Sequence, residues 1–150
     1  MSSGILPVTV GFLLGLIPEA LVRRTKKREA LVAIKAEIKY CVDLASQCLS
    51  GSDVGFPLRY PIIIFQHSFP ALLDSKRVDI KLINAITDYY CHIIALNGSL
   101  DSLESHRPNT KNHGILQKTI KQLTHKCSTD HDMTKKLLTA LEKITTKRFT

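Results

Sequence analysis

Seventeen consecutive residues, Ser2 to Pro18, carry no charge, and five of the six residues from Arg23 to Arg28 are basic. Within the uncharged stretch Ile5, Leu6, Val8, Val10, Phe12, Leu13, Leu14, Leu16 and Ile17 are apolar. A run this dense has to be buried, either in protein or in lipid, because water penalises each exposed apolar side chain. Counted from Gly4 to Val22, with Glu19 as its one charged residue, the stretch has 19 residues. As a helix that is about 28 Å at 1.5 Å per residue, close to the roughly 30 Å of a bilayer's hydrocarbon core. Counted only to Ile17 it is short, and such a segment lies at the interface or thins the bilayer. Pro18 followed by Glu19 reads as the start of a new helix, since proline needs no N–H at the first position and an acidic side chain suits the positive end.

The flanking charges set an orientation. No basic residue precedes the apolar run and no small-x-small cleavage pattern follows it, which argues against a cleaved signal peptide. Arg23, Arg24, Lys26, Lys27 and Arg28 lie on its C-terminal side. By the positive-inside rule the N-terminus is then outside and the remaining chain cytoplasmic, as a single pass through the inner membrane. Gly11 and Gly15 form a small-xxx-small pair inside the run. That spacing suits close packing of transmembrane helices, and it equally suits permissive glycine in a lipid helix.

The rest of the 150-residue chain has ordinary globular composition, 44% hydrophobic and 23% charged, which excludes wholesale disorder. Four cysteines without paired spacing exclude a disulfide framework and a zinc ribbon. The net charge of +8 is uneven: +3 over residues 1–50, −2 over 51–106 and +7 over 107–150. The basic residues of the last third include Lys118, Lys121, Lys126, Lys135, Lys136, Lys143, Lys147 and Arg148. Together with Arg23–Arg28 they are candidate contacts for anionic headgroups, each contributing about 1 kcal/mol near such a surface. A bundle docked flat on the membrane would follow. Nucleic-acid phosphates are the second choice of partner, since with no Trp and nine other aromatics there is little surface for stacking bases.

Periodicity makes the soluble part helical. Leu31, Ile34, Ile38, Cys41, Ala45 and Cys48 recur at alternating steps of three and four, widened by Val42 and Leu49, with Gly51 placed to end the helix. Pro61 can open a short apolar helix through Ile62–Phe69 that Pro70 stops, and a short strand competes with it. Leu82, Ile86, Tyr89, Ile93, Leu96, Leu100 and Leu103, supported by Ile83, Tyr90 and Ile94, predict a helix of about 25 residues capped near Asp79. Leu116, Ile120, Leu123 and Cys127, then Met133, Leu137, Leu141 and Ile144, form one long helix or two, with Ser128, Thr129 and Asp130 as a cap between them. The expected fold is all-α: an N-terminal transmembrane or interfacial helix over 4–22, then an antiparallel helical bundle of three or four main helices over 23–150.

No catalytic motif stands out. There is no phosphate loop, nucleophile elbow, paired-histidine zinc helix or dinucleotide fingerprint. His125, Cys127 and His131 have a spacing that could hold metal but lack a fourth ligand. Cys41, Cys48 and Cys127 sit on apolar stripes and read as small core residues, and Cys91 and His92 face different directions on a helix. Neither a metal, a cofactor nor a catalytic residue is expected.

The order of features resembles a loose group of uncharacterised bacterial membrane-anchored proteins. The carrying residues are Leu21, Val22, Arg23, Arg24, Lys26, Lys27 and Arg28 with Glu37 and Ile38 after them, then Phe56-Pro57, Tyr60-Pro61, Leu72-Leu73 and the stripe Leu82–Leu103 with Tyr89. The resemblance is one of layout, covers about the first two-thirds, and implies topology without a reaction; the basic last third departs from it. The expected role is non-enzymatic: a scaffold, adaptor or sensor at the cytoplasmic membrane face, as a homo-oligomer or with a protein partner. Its rivals are a membrane-perturbing effector that oligomerises through the apolar segment, and a soluble nucleic-acid-binding helical protein.

Overall fold

The computed structural model describes residues 5–50, 59–73, 78–105 and 111–146, with side chains from Val22 onward except at position 111. They form five helices: α1 (Ile5–Leu49), α2 (Ile63–Leu73), α3 (Ile80–Ser105), α4 (Lys111–Cys127) and α5 (Asp132–Thr146). The chain is all-helical over the described residues, with no strand among them.

α1 is a single helix across position 18, so Pro18 does not begin a new one. A proline removes one amide hydrogen bond, and helical turns on both sides can carry the chain past it. The buried stripe of α1 starts at Ala30 and continues through Leu31, Ile34, Ile38, Cys41, Val42 and Ala45. That of α3 runs Leu82, Ile86, Tyr89, Ile93, Leu96 and Leu100, as the periodicity predicts, and Tyr90 is fully buried beside it. Ile94 is half exposed, because it falls on the far edge of that stripe. Asp79 caps α3 as expected: its Oδ1 accepts the Lys81 N–H at 2.9 Å, and its carbonyl accepts those of Leu82 and Ile83. Gly51 lies outside the described residues.

The short segment after Pro61 is a helix and not a strand. It starts at Ile63 and runs through Pro70 to Leu73, so Pro70 does not stop it. Leu72, one turn past the apolar run and fully buried, shows why: packing of the last turn outweighs the amide lost at Pro70.

The last third is two helices. At the break, Ser128 donates N–H and hydroxyl to the His125 carbonyl (3.2 and 2.8 Å) and its Oγ accepts the Asp130 N–H at 3.3 Å. The first amide bond of α5 is Lys135 N–H to the His131 carbonyl, so His131 holds the cap position expected of Ser128–Asp130. Thr134 replaces Met133 on the buried stripe, because its hydroxyl satisfies the Lys126 carbonyl at the end of α4 (2.8 Å).

Contacts order the helices. Ser46 meets Thr129 at one end of α5, and Lys35 meets Glu142 and Thr145 at the other, so α5 runs antiparallel to α1. Tyr90 bonds to Glu37, whereas Asn97 bonds to Tyr60, which stands beside Cys48. α3 is therefore parallel to α1, and α4 returns antiparallel along it, with the Tyr89 hydroxyl donating to the Cys127 carbonyl at 3.3 Å. α2 packs mainly on α1, and α1 and α3 are bridged by α2 on one side and α4–α5 on the other.

Candidate membrane-surface site

From Val22 to Glu29 no side chain of α1 is buried; Lys27 alone is half-covered. Arg23, Arg24, Lys26, Lys27 and Arg28 spread over about 200° of the helix at 3.6 residues per turn, forming a collar instead of a stripe. This collar sits directly outside the core, with only Glu29 between Arg28 and the buried Ala30.

α5 brings a second basic position to the same end. Because it runs back along α1, its last turn lies beside Lys35, whose ammonium pairs with the Glu142 carboxylate and donates to Thr145 Oγ1 at 3.2 Å. Lys143 is exposed on that turn. Lys135 and Lys136 are exposed at the other end of α5, where Lys136 pairs with Asp132 one turn before it at 2.8 Å. That hydrogen bond and charge hold the Asp132 carboxyl below the usual range and raise Lys136. The pair also suits the helix start, where an anion favours the N-terminal partial charge.

The α4 lysines are placed elsewhere. Cys127 faces Cys41, while Thr124 shares the neighbourhood of Tyr60 with Cys48. Lys126, Lys121 and Lys118, all exposed, therefore step away from the collar, toward and past the Leu49 end of α1. Lys147 and Arg148 lie outside the described residues, and Gly11 and Gly15 lie in the part of α1 without described side chains. Among the described residues no helix is long and apolar enough to cross a membrane; of the apolar stretch at 4–22, side chains are described only for Val22.

The polar centre of the core is one that periodicity did not single out. Glu37 is 4% exposed on the buried face of α1. Its Oε1 accepts the Ile64 N–H and its Oε2 the Phe65 N–H, both at 2.9 Å, and Oε2 also accepts the Tyr90 hydroxyl at 2.7 Å. Ile62 occupies the cap position of α2, with its carbonyl accepting the Gln66 N–H, and it has no side-chain oxygen to offer the next amides. A carboxylate from another helix takes that role, where the partial positive charge of the α2 N-terminus favours an anion. Phe65 stacks on Tyr90 with centroids 3.9 Å apart, so two of these helices, α2 and α3, are also joined by an apolar contact beside the polar one. Burial first, then the Glu37 hydrogen bond, raises the Tyr90 phenol. Asn97 makes the second seat: Oδ1 accepts the Tyr60 N–H at 2.8 Å and Nδ2 donates to the Tyr60 carbonyl at 2.9 Å. A charged residue three after Ile34 and one before Ile38, and an amide one after Leu96, were the signals available in the sequence.

No chain family model, curated protein or solved structure matches this sequence.

Metal chemistry finds little footing at the positions its spacing suggested. His125 and His131 meet edge to face with ring centroids 6.1 Å apart, but Cys127 is fully buried and turned into the core. Burial pushes its thiol up to about 12, away from the thiolate a metal needs. Among the described residues no three His, Cys, Asp or Glu side chains group as a ligand set. Cys91 is exposed and His92 is half-buried, its Nδ1 on the Asp88 carbonyl at 2.8 Å, so the two do not work together. Asp79 is engaged as a cap, Asp88 is solvated, and Asp74 lies outside the described residues.

Proposed function

We propose that this chain is a non-enzymatic, single-pass membrane protein whose helical domain acts as a scaffold, adaptor or sensor at the cytoplasmic face. The observation that carries this reading is the course of α1. The helix leaves the core at Ala30, exposes eight further residues bearing the basic collar, and continues as helix to Ile5. The N-terminal half of this helix is apolar in sequence and about as long as a bilayer is thick, and such a segment is stable in lipid. The collar then falls at the headgroups on the side the positive-inside rule favours. A homo-oligomer or a partner subunit completes this reading.

Fractionation of the full chain beside a shortened chain beginning at Arg23 tests this. The full chain should resist carbonate and high-salt washes, and the shortened one should be soluble and folded. A full chain released by salt alone overturns the anchor. Salt-dependent retention of that soluble protein on duplex DNA or RNA would establish nucleic-acid binding in its place, and depolarisation of cells expressing the anchored chain would establish the membrane-perturbing effector.

A further inference from the structure

The basic residues divide into two groups at opposite ends of the molecule, and that division bears on how the domain meets the membrane. At one end are Arg23, Arg24, Lys26, Lys27 and Arg28, joined by Lys143 on the last turn of α5. The last residue of α5, Thr146, lies about level with Lys35, seven residues or roughly 10 Å along α1 from Arg28. At the other end are Lys118 and Lys121. From Arg28 to Cys48 is 20 residues, roughly 30 Å of helix, and α3 continues past the Asn97–Tyr60 pair for eight residues, roughly another 12 Å, before turning into α4. The two groups are thus separated by several times the Debye length of about 8 Å at physiological salt.

We infer that the domain stands on end on an anionic phospholipid surface, with the Arg23–Arg28 collar at the headgroups, the last turn of α5 facing them about 10 Å further out, and the α3–α4 hairpin held about 40 Å away. This rests on the anchored reading of α1. Because α1 is one continuous helix, it leads from the bilayer directly into the bundle, and transmembrane helices tilt by only about 20° on average. An end-on domain leaves Lys143 nearer to the lipid than Lys118 and Lys121, with the Arg23–Arg28 collar alone directly at the surface. Flat docking would require α1 to turn through most of a right angle near the bilayer, and the helix is continuous from Ile5 to Leu49, with Pro18 as its one kink site. The α4 lysines then stop being lipid contacts, and the hairpin they line is the surface presented to the cytoplasm.

The test uses the full chain in vesicles of phosphatidylcholine with phosphatidylglycerol, with a nitroxide placed by Thr146→Cys or Gln117→Cys. Both positions are exposed and leave every lysine intact. Cys48→Ser and Cys91→Ser remove the accessible thiols, and the buried Cys41 and Cys127, whose thiols are pushed up to about 12, label slowly. Nickel chelated to a lipid headgroup reports proximity to the surface. End-on docking predicts relaxation at 146 at least fivefold stronger than at 117, and a fall of twofold or more at 146 when phosphatidylglycerol is omitted. Equal relaxation at both positions, or stronger relaxation at 117, in protein that still resists carbonate overturns the end-on arrangement while leaving the anchor standing. An undiminished signal at 146 without phosphatidylglycerol overturns the anionic contact. Release by carbonate overturns the anchor and, with it, the end-on inference.

Discussion

Glu37 is where three helices meet, and its chemistry leaves no equivalent substitute. Glu37→Ala would strand the Tyr90 hydroxyl and two amides at the start of α2, each an unmet donor costing about 1–3 kcal/mol. We expect a loss of about 3 kcal/mol or more in urea unfolding, with Glu37→Gln falling between; a loss under about 1 kcal/mol would show that the seat contributes little. The buried thiols give a second residue-scale prediction. Burial, with the nearby Glu37 and Cys127 adding to it, raises Cys41 from 9.0 to about 12. Cys127 is raised to about 12 as well, by burial. The unfolded chain releases these protons near pH 9 and the folded chain only near 12, so the stabilisation is complete below pH 9 and lost as pH rises from 9 to 12. Urea midpoints should therefore be flat from pH 7 to 8.5 and fall steadily above 9, to which the raised phenols of Tyr60, Tyr89 and Tyr90 also contribute. At neutral pH, Cys91 should react with a thiol reagent at least tenfold faster than Cys41 or Cys127; comparable rates would mean the core opens readily.

At the scale of single helices, periodicity and capping explain α3 almost completely, and packing explains α2. Gly98 sits inside α3 with open space where a Cβ would project. Gly98→Ala should raise stability by roughly 0.5–1 kcal/mol, measured by thermal or urea unfolding, and a decrease would reveal a neighbour that the helix face does not show. Pro70→Ala should behave similarly: it returns an amide to an exposed position inside α2, outweighing the chain freedom it restores to the unfolded state, for a net gain of about 1 kcal/mol. Thr134 marks the opposite situation, a polar side chain the helix stripe does not predict and the junction requires, because it satisfies a carbonyl of the preceding helix.

For the whole molecule the decisive geometry is that α1 continues as helix well beyond its buried stripe. Among the described side chains the first buried one is Ala30, so a chain beginning at Arg23 should keep the helicity of the full protein's domain and its urea stability within about 0.5 kcal/mol. A larger loss in circular dichroism or midpoint would place the N-terminal residues within the core. The stripes at steps of three and four, the apolar N-terminal run, the basic collar and the Asp79 cap were all legible in the sequence, because each is a local pattern whose physical consequence does not depend on distant residues. What only the tertiary structure decided are relations between segments far apart in the chain. Among them are the carboxylate of Glu37 closing the start of a helix 27 residues away and Asn97 clasping Tyr60. The return of α5 along α1 is another, since it separates one basic third into a group beside the collar and a group beyond the far end. Hydrophobic spacing says which face of a helix is buried, but it carries no direction or partner; those are set when polar groups inside the core must find one another.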